Sequence, residues 1–283
     1  MTMKTYLITG ASGGLGLELV KTALNDGHHV IAAVRNPDSL AELVKSYPEQ
    51  LTTERFDAAD TAQFQVLADK YPQVDVLINN AGGSVLGAME ELTNEQVEQQ
   101  LTLNLRTPIY LTRAFLPAMR AKQSGVLVYI TSIGGRVGFA SGVMYHAAKF
   151  GLEGFAEALA QEVAEFGIKT VIVEPGSMKT RFVANVNWAA QSETYHSGTT
   201  VGKMRDYIQN YGEDSIAGDP VKIARAVIDL TIVDTPPLRT ALGTDTYAVL
   251  EQAYAKHAAD LKAQETLAKS VAFEGKVGFM PNS

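Results

Sequence analysis

Residues 4–16, KTYLITGASGGLG, decide the fold class of this chain. Positions 4–9 are rich in β-branched and apolar residues and predict a buried strand. A glycine-rich turn follows, and apolar residues then recur at helical spacing until Asn25-Asp26-Gly27 ends the helix. A second apolar run at 29–34 completes a strand–helix–strand unit, which predicts parallel strands joined by a right-handed crossover.

The same alternation continues along the chain. Further strands are predicted at 51–56, 74–78, 126–131, 168–174 and 238–243. Further helices are predicted at 36–47, after Asp60, and at 93–119, 143–166, 219–232 and 247–267. Fully apolar strands between helices indicate an α/β, doubly wound parallel sheet of the Rossmann type. We expect a single domain over residues 1–283, with 175–217 as a lid over a site and 244–283 as a C-terminal helix and tail.

Composition excludes several classes of function. The 24 basic and 31 acidic residues give a net charge of −7, which argues against a nucleic-acid-coating protein. The chain has no cysteine, so disulfides, thiolate metal sites and a cysteine nucleophile are excluded, and the five histidines form no ligand pair. No apolar run approaches the roughly 18 residues of a transmembrane helix. We therefore expect a cytoplasmic protein without a metal site, a membrane span or a nucleic-acid partner.

The glycine-rich turn has three interpretations. Gly10, Gly14 and Gly16 lie where a strand passes into a helix, and backbone N–H groups there can hold a pyrophosphate. The glycines could instead only form a tight turn. Residues 10–14 also match Gly-x-Ser-x-Gly, the nucleophile turn of α/β hydrolases, with Ser12 as the nucleophile. We disfavour that hydrolase because such a turn normally follows several strands, whereas nine residues precede Gly10.

Tyr145 and Lys149 carry the strongest catalytic signal. Their spacing places them one turn apart on the same face of a helix, and a cation beside a phenol favours phenolate. A tyrosine pKa lowered by about three units needs roughly 4 kcal/mol of differential stabilisation. The plain alternative is an exposed helix, where this spacing is common. Ser132 follows the strand at 126–131, at the carboxyl edge where open α/β sheets bind ligands.

Four separated motifs together resemble the short-chain dehydrogenase/reductase family in its single-domain form. They are Thr-Gly-Ala-Ser-Gly-Gly-Leu-Gly at 9–16, Asn-Asn-Ala-Gly at 79–82, Ser132 with Tyr145-x-x-x-Lys149, and Pro175-Gly176-x-x-x-Thr180. The resemblance implies that Tyr145 is the general acid or base, that Ser132 orients the substrate oxygen, and that Lys149 lowers the tyrosine pKa and binds the nicotinamide ribose. Asn104 matches an asparagine that supports a water-linked proton relay to the lysine, or it only satisfies a helix kink.

The resemblance also implies a set of cofactor-binding residues. These are Gly10, Ser12, Leu15 and Gly16 at the pyrophosphate and ribose, Asn80 and Gly82 on the adenine ribose side, Asp57 at the adenine amino group, and Thr180 after Pro175 and Gly176 at the carboxamide. Asp57 could equally cap the next helix. Gly10, Gly13 and Gly16 also fit the spacing of the family's extended branch, but the Asn-Asn-Ala-Gly motif favours the simple oxidoreductases.

The end of the second strand favours NADP. The sequence there is Ala33-Val34-Arg35-Asn36, without the carboxylate that would bind the ribose 2′-hydroxyl of NAD. Arg35 can offer a planar, charged fork to a 2′-phosphate, and Ser12 could add a hydroxyl donor. Arg35 could alternatively stack on adenine or face water.

The sequence as a whole predicts an NADP-dependent oxidoreductase acting on a carbonyl or a secondary alcohol. Aromatic residues in the lid suggest an apolar substrate pocket, although they could equally be core: Phe182, Trp188, Tyr195, Tyr207 and Tyr211. A non-catalytic nucleotide-binding regulator is the alternative from another class. We expect a homo-oligomer, dimer or tetramer, and the C-terminal residues could cover a surface used for tetramer formation.

Overall fold

The computed structural model describes residues 2–210, 212, 216–273 and 276. Its strands are β1 (Thr5–Thr9), β2 (His29–Val34), β3 (Leu51–Arg55), β4 (Val76–Asn79), β5 (Val85–Leu86), β6 (Gly125–Ile130), β7 (Ile168–Pro175), β8 (Asn187–Trp188) and β9 (Arg239–Leu242). Its helices are α1 (Gly14–Asn25), α2 (Ala41–Ser46), α3 (Ala62–Lys70), α4 (Asn94–Leu101), α5 (Thr107–Lys122), α6 (Val143–Val163), α7 (Thr200–Gln209), α8 (Pro220–Leu230), α9 (Thr244–Ala263) and α10 (Glu265–Ser270).

The main sheet is parallel throughout. Within the described residues it has seven strands in the order β3-β2-β1-β4-β6-β7-β9. Strand order reverses between β1 and β4, and this is the switch point beside which open α/β sheets bind ligands. The predicted Rossmann-type α/β fold is confirmed.

The core lies on both faces of this sheet because side chains alternate along each buried strand. Tyr6 and Ile8 of β1 pack with α1 and α8 on one face, whereas Leu7 packs with α3, α5 and α6 on the other. All three side chains are fully buried. Both faces are therefore covered, which explains why the strand sequences are apolar at consecutive positions.

Local capping places two of the helices as predicted. Thr93 accepts the Gln96 N–H through its side chain, and Gln96 reaches back to the Thr93 N–H, which starts α4 with a capping box. Asp219 caps α8 with Pro220 at the first helical position. Both helices thus begin where the sequence predicts, at capping signals that lie within four residues of their start.

The structure departs from the predicted elements in several places, among them the predicted helix at 247–267, which divides at Gln264 into α9 and α10. The predicted helix at 93–119 is interrupted by a π-helical turn at Thr102–Arg106 and ends later, at Lys122. The predicted helix at 143–166 ends at Val163, before a 3-10 turn. The region 175–217, in which no regular element was predicted, contains α7 and also β8, which pairs in parallel with β5.

The described residues contain neither a membrane-spanning helix nor a cluster of metal ligands. No helix there combines the length and apolar character needed to cross a membrane. No group of three or more histidine, aspartate or glutamate side chains in the same residues is placed to hold a metal ion.

Candidate active site

The turn between β1 and α1 is held open at the switch point of the sheet. Gly10 has a φ of +66° and Gly14 a φ of +53°, conformations that favour glycine. The Gly10 N–H donates to the Ala33 carbonyl oxygen at 3.0 Å, which ties the turn to β2. On the other side, the Asn80 side chain donates to the Thr9 carbonyl oxygen at 2.9 Å. Asn80 therefore fixes the shape of the turn through its amide group.

The same turn can receive an anion. A Cβ atom on Gly16 would lie 2.2 Å from the Gly10 carbonyl oxygen, whereas a Cβ on Gly13 would meet nothing within 4 Å. Gly13, the N-cap of α1, provides no capping side chain, and the first turn of the helix has no acidic residue. The positive end of the helix dipole and its N–H groups suit a phosphate at this position. The residues present therefore fit a pyrophosphate.

Ser132 and Tyr145 meet just beyond the carboxyl end of β6. The Ser132 hydroxyl oxygen accepts the Gly134 N–H at 3.0 Å, and the Ser132 side chain lies near enough to the Tyr145 phenol to lower its pKa. A Cβ on Gly134 would lie 2.9 Å from Cε1 of Tyr145, so glycine is needed for this close approach. The neighbouring His146 fixes the loop further, because Nδ1 bonds the Gly134 carbonyl oxygen at 2.8 Å and Nε2 accepts the Phe139 N–H at 2.9 Å.

Lys149 lies in the interior beside the tyrosine. Its side chain donates from Nζ to the Ile130 carbonyl oxygen at 2.9 Å, and the residue is only 5% exposed. Nζ is 5.9 Å from the centre of the Tyr145 ring. Burial lowers the pKa of Lys149 to about 8, although the Glu153 carboxylate one turn further along α6 opposes this shift.

The direction of the Tyr145 pKa shift differs from the sequence-based expectation. Burial raises the pKa of the phenol, while the interaction with Ser132 lowers it by a smaller amount. Lys149 does not bring the pKa below its usual value here, since Nζ lies toward the ring and bonds a carbonyl oxygen. The phenol is therefore protonated at neutral pH.

Asn104 lies in the π-helical turn that interrupts the long helix. Its side-chain Nδ2 donates to the Gly83 carbonyl oxygen at 3.0 Å and to the Gln100 carbonyl oxygen at 3.2 Å. A Cβ on Gly82 would lie 3.1 Å from Oδ1 of Asn104 and 3.8 Å from Nζ of Lys149. Asn104, Gly82 and Lys149 are thus neighbours, so Gly82 lies beside the catalytic candidates as well as in the loop after β4.

The segment after β7 lies against the glycine-rich turn. The Gly176 N–H donates to the Leu242 carbonyl oxygen at 3.1 Å, directly after Pro175. A Cβ on Gly14 would be 3.5 Å from the Thr180 side chain, which places Thr180 against the start of α1. Thr180, within the segment 175–217, therefore lies against the glycine-rich turn.

The remaining cofactor candidates occupy the ends of β1, β2 and β3. Arg35 and Ser12 are exposed, and each follows a strand at the carboxyl edge. Asp57 is exposed just beyond β3, and its carboxylate accepts the Ala59 N–H at 3.0 Å. Leu15 has its side chain in the core, so only its backbone faces the turn.

The described aromatic residues of the lid have different partners. The Phe182 ring contacts the Tyr145 ring edge to face, with 6.2 Å between ring centroids. Trp188 packs on the Arg205 guanidinium, and Tyr207 is 59% exposed. Tyr195 interacts with the Glu90 carboxylate, and Tyr211 lies outside the described residues.

A charged cluster of two buried glutamates and two partly exposed arginines lies next to Lys149 and is not evident from the motifs of the sequence. It comprises Glu153 of α6, Glu174 of β7, Arg239 of β9 and Arg136 of the loop after β6. Glu153 Oε2 accepts from Arg239 Nε at 3.0 Å, and Glu174 Oε1 lies 3.4 Å from a terminal nitrogen of Arg136. The i, i+4 spacing of Tyr145, Lys149 and Glu153 was a usable signal, because it places Glu153 on the same helix face.

Comparison with known proteins gives consistent matches. The model of the short chain dehydrogenase family matches residues 4–191. "Oxidoreductase BOA17" of Botryotinia fuckeliana is 35% identical over 248 residues, covering 86% of this chain and 89% of that protein. A solved short-chain dehydrogenase from Streptomyces avermitilis is 36% identical with a TM-score of 0.88, covering 96% of this chain and all of that one. A serine dehydrogenase solved with NADP⁺ is 23% identical with a TM-score of 0.73, covering 86% and 95% of the two chains, and shares the fold.

Proposed function

The chain belongs to the short-chain dehydrogenase/reductase family, and on that premise we propose that it is an NADP-dependent oxidoreductase that interconverts a carbonyl compound and a secondary alcohol. The observation that carries this proposal is the meeting of Ser132, Tyr145 and Lys149 beside the anion-binding turn. A proton donor, an oxygen-binding hydroxyl and a buried cation are thus available within one site.

NADPH supplies a hydride from its nicotinamide ring when it is bound. In this proposal the turn at residues 10–16 holds the pyrophosphate, Lys149 binds the nicotinamide ribose and Thr180 binds the carboxamide. Asp57 contacts the adenine, and Asn80 maintains the turn. Arg35 and Ser12 bind the 2′-phosphate, because an exposed guanidinium at the end of β2 attracts that group and a carboxylate is absent there. The serine dehydrogenase that shares this fold was solved with NADP⁺.

Ser132 and Tyr145 act on the substrate oxygen. The Ser132 hydroxyl orients the carbonyl oxygen by a hydrogen bond, and the Tyr145 phenol donates its proton to that oxygen during reduction. Burial raises the pKa of Tyr145, so the phenol retains the proton that reduction consumes. Protonated Tyr145 is the form of this residue that reduction requires. In oxidation the same oxygen of Tyr145 receives the proton, and Lys149 with Asn104 carries it onward.

The lid at 175–217 covers the substrate in this proposal. Phe182 contacts the Tyr145 ring and is 41% exposed, so its free face is open to an apolar group attached to the carbonyl carbon. Further along the lid, the Arg205 guanidinium donates to the Glu91 carboxylate at 3.0 Å. This buried ion pair fixes the far end of the lid to the body, and residues near Phe182 determine substrate shape.

Turnover of a carbonyl panel by the Tyr145→Phe variant tests the proposal. The wild-type protein is mixed with NADPH and a panel of ketones and aldehydes, and the nicotinamide absorbance is followed. We expect Tyr145→Phe to bind NADPH as the wild type does but to lose about 100-fold or more in kcat, because the substitution removes only the proton donor. Tyr247→Phe, at a 65% exposed position on α9, is the matched control and should be unchanged.

If Tyr145→Phe turned over every carbonyl that the wild type reduces, and did so at the wild-type rate, the role of Tyr145 would be contradicted. NADPH binding with no turnover of any carbonyl by the wild type would favour a nucleotide-binding regulator instead.

A further inference from the structure

We propose that Asp245, at the start of α9, is a positioning residue for residues 176–180, the segment assigned to the nicotinamide carboxamide. The inference rests on the proposed function, because the segment has this task only in a nicotinamide-dependent enzyme. Among the described residues, Asp245 forms no hydrogen bond with Tyr145 or Lys149. It therefore acts through the segment. The C-terminal part of the chain would then contribute to the active site.

Two hydrogen bonds join Asp245 to the segment. Oδ2 of Asp245 accepts the Ser177 N–H at 2.8 Å and the Ser177 hydroxyl at 2.8 Å. Oδ1 accepts the Thr246 N–H at 2.9 Å, which holds the carboxylate in one orientation. Hydrogen bonds to an ionised acceptor are shorter and stronger than neutral ones. The carboxylate also lies in the first turn of α9, where the helix dipole favours negative charge.

The backbone around Asp245 is shaped for this contact. Gly243 has a φ of +130°, which lets the chain turn from β9 into α9 and directs Asp245 toward β7. A Cβ on Gly176 would lie 2.3 Å from Oδ1 of Asp245, so a glycine is required next to Ser177. The glycine of the Pro175-Gly176 motif is therefore explained by the approach of the Asp245 carboxylate.

The rest of the segment is held from its other side. The Gly218 N–H donates to the Ser177 carbonyl oxygen at 3.0 Å, and the Lys179 N–H donates to the Gly218 carbonyl oxygen at 3.0 Å. At the β7 end the segment is anchored by Asp245 together with the Gly176–Leu242 backbone hydrogen bond, and at its other end Thr180 lies against Gly14. A loss of the Asp245 anchor should therefore disturb Thr180 while the pyrophosphate turn keeps its shape.

The affinities for two ligands distinguish a positioning role of Asp245 from a general effect on protein stability. NADPH contacts both halves of the proposed site, whereas adenosine 2′,5′-bisphosphate carries only the adenosine part with the 2′-phosphate. For Asp245→Ala we expect the Kd of NADPH to rise about tenfold, equivalent to about 1.4 kcal/mol. The Kd of the bisphosphate should stay within about twofold of the wild-type value, because this ligand lacks the nicotinamide part that residues 176–180 would bind.

Three further variants sharpen this test. Ser177→Ala keeps the N–H contact and should show a smaller rise in the Kd of NADPH, and adding it to Asp245→Ala should have little further effect because both act on one contact. Asp245→Asn keeps one acceptor oxygen and should be intermediate. Asp75→Ala is the matched control, because the Asp75 carboxylate accepts the Thr5 N–H at 2.9 Å at the opposite edge of the sheet.

Each outcome of these titrations decides the inference. A selective loss of NADPH affinity in Asp245→Ala, with bisphosphate binding retained as evidence of folding, supports it. An unchanged NADPH affinity, or equal losses for both ligands, would overturn the inference alone. A wild-type protein that binds neither ligand would overturn the proposed function and, with it, the role of Asp245.

Discussion

The buried carboxyl group of Glu174 should make the stability of this protein depend on pH near neutrality. Glu174 is 2% exposed, and its Oε1 lies 3.4 Å from Arg136 and 3.7 Å from Arg239. Burial and the neighbouring Glu153 carboxylate raise the pKa of Glu174 to about 7, and the two arginines only partly oppose this. Ionising Glu174 therefore costs free energy in the folded state.

The sign and size of the effect follow from the two pKa values. The usual value for this side chain is 4.5, so between pH 4.5 and about 7 the folded state binds more protons than the unfolded state. Stability from Glu174 is complete below the unfolded pKa and is lost as the pH rises through the folded pKa. A shift of this size corresponds to about 3 kcal/mol, at 1.36 kcal/mol per pKa unit.

Replacement of Glu174 by glutamine removes this titration. Urea unfolding of the wild type and Glu174→Gln, followed by far-UV circular dichroism, gives the free energy of unfolding at each pH. Between pH 5 and pH 8 we expect the stability of the variant relative to the wild type to rise by about 2 to 3 kcal/mol. Any hydrogen bond lost or gained by the amide adds a constant and leaves the slope unchanged.

Glu157→Gln is the matched control for this slope. A hydrogen bond from Arg239 lowers the pKa of Glu157, so its carboxylate is ionised throughout that pH range in the folded state. The stability difference between Glu157→Gln and the wild type should therefore be nearly flat from pH 5 to pH 8. A flat difference for Glu174→Gln as well would refute the reasoning about burial.

Three other substitutions give sharp expectations. Gly16→Ala places a Cβ 2.2 Å from a backbone carbonyl oxygen and should abolish NADPH binding in a fluorescence titration. Gly13→Ala is its control, because a Cβ there meets open space, and its Kd for NADPH should stay within about threefold of the wild-type value. Arg205→Ala leaves its carboxylate partner buried and should lower the free energy of unfolding by about 3 kcal/mol, while Arg106→Ala, which breaks an exposed pair, should change it by less than about 1 kcal/mol in the same urea assay. Arg35→Asp should weaken NADPH binding and strengthen NADH binding, because it replaces a cation by an anion; an unchanged ratio of the two Kd values would contradict the 2′-phosphate assignment.

The parts of the fold that depend on residues close together in the sequence could be predicted from it. The strand at 29–34 was placed without error, because an apolar run bounded by turn residues is a local signal. Tyr145 and Lys149 were placed on one helix face for the same reason, since their spacing is one helical turn. The proximity of Ser132 to both residues could be predicted from the rule that the carboxyl ends of parallel strands lie at one edge of the sheet.

Features that depend on distant partners could not be predicted. The pairing of β5 with β8 involves two residues on each strand, too few to give a period. The ion pair between Arg205 and Glu91 joins positions 114 residues apart. The π-helical turn at Thr102–Arg106 contains no glycine or proline that would mark an interruption of the helix. The pKa of Tyr145 also follows from burial, which spacing on a helix does not determine.

Equilibrium titration of the purified wild-type protein with NADPH and with NADH, followed by nicotinamide fluorescence, tests the central claim most directly. The turn at residues 10–16 and the Arg35 guanidinium lead us to expect saturable binding of NADPH and binding of NADH that is weaker by about tenfold or more, as for the loss of a charge-assisted contact. Binding of neither nucleotide would contradict the assignment of this chain as a nicotinamide-dependent oxidoreductase, and tighter binding of NADH would contradict the choice of NADP.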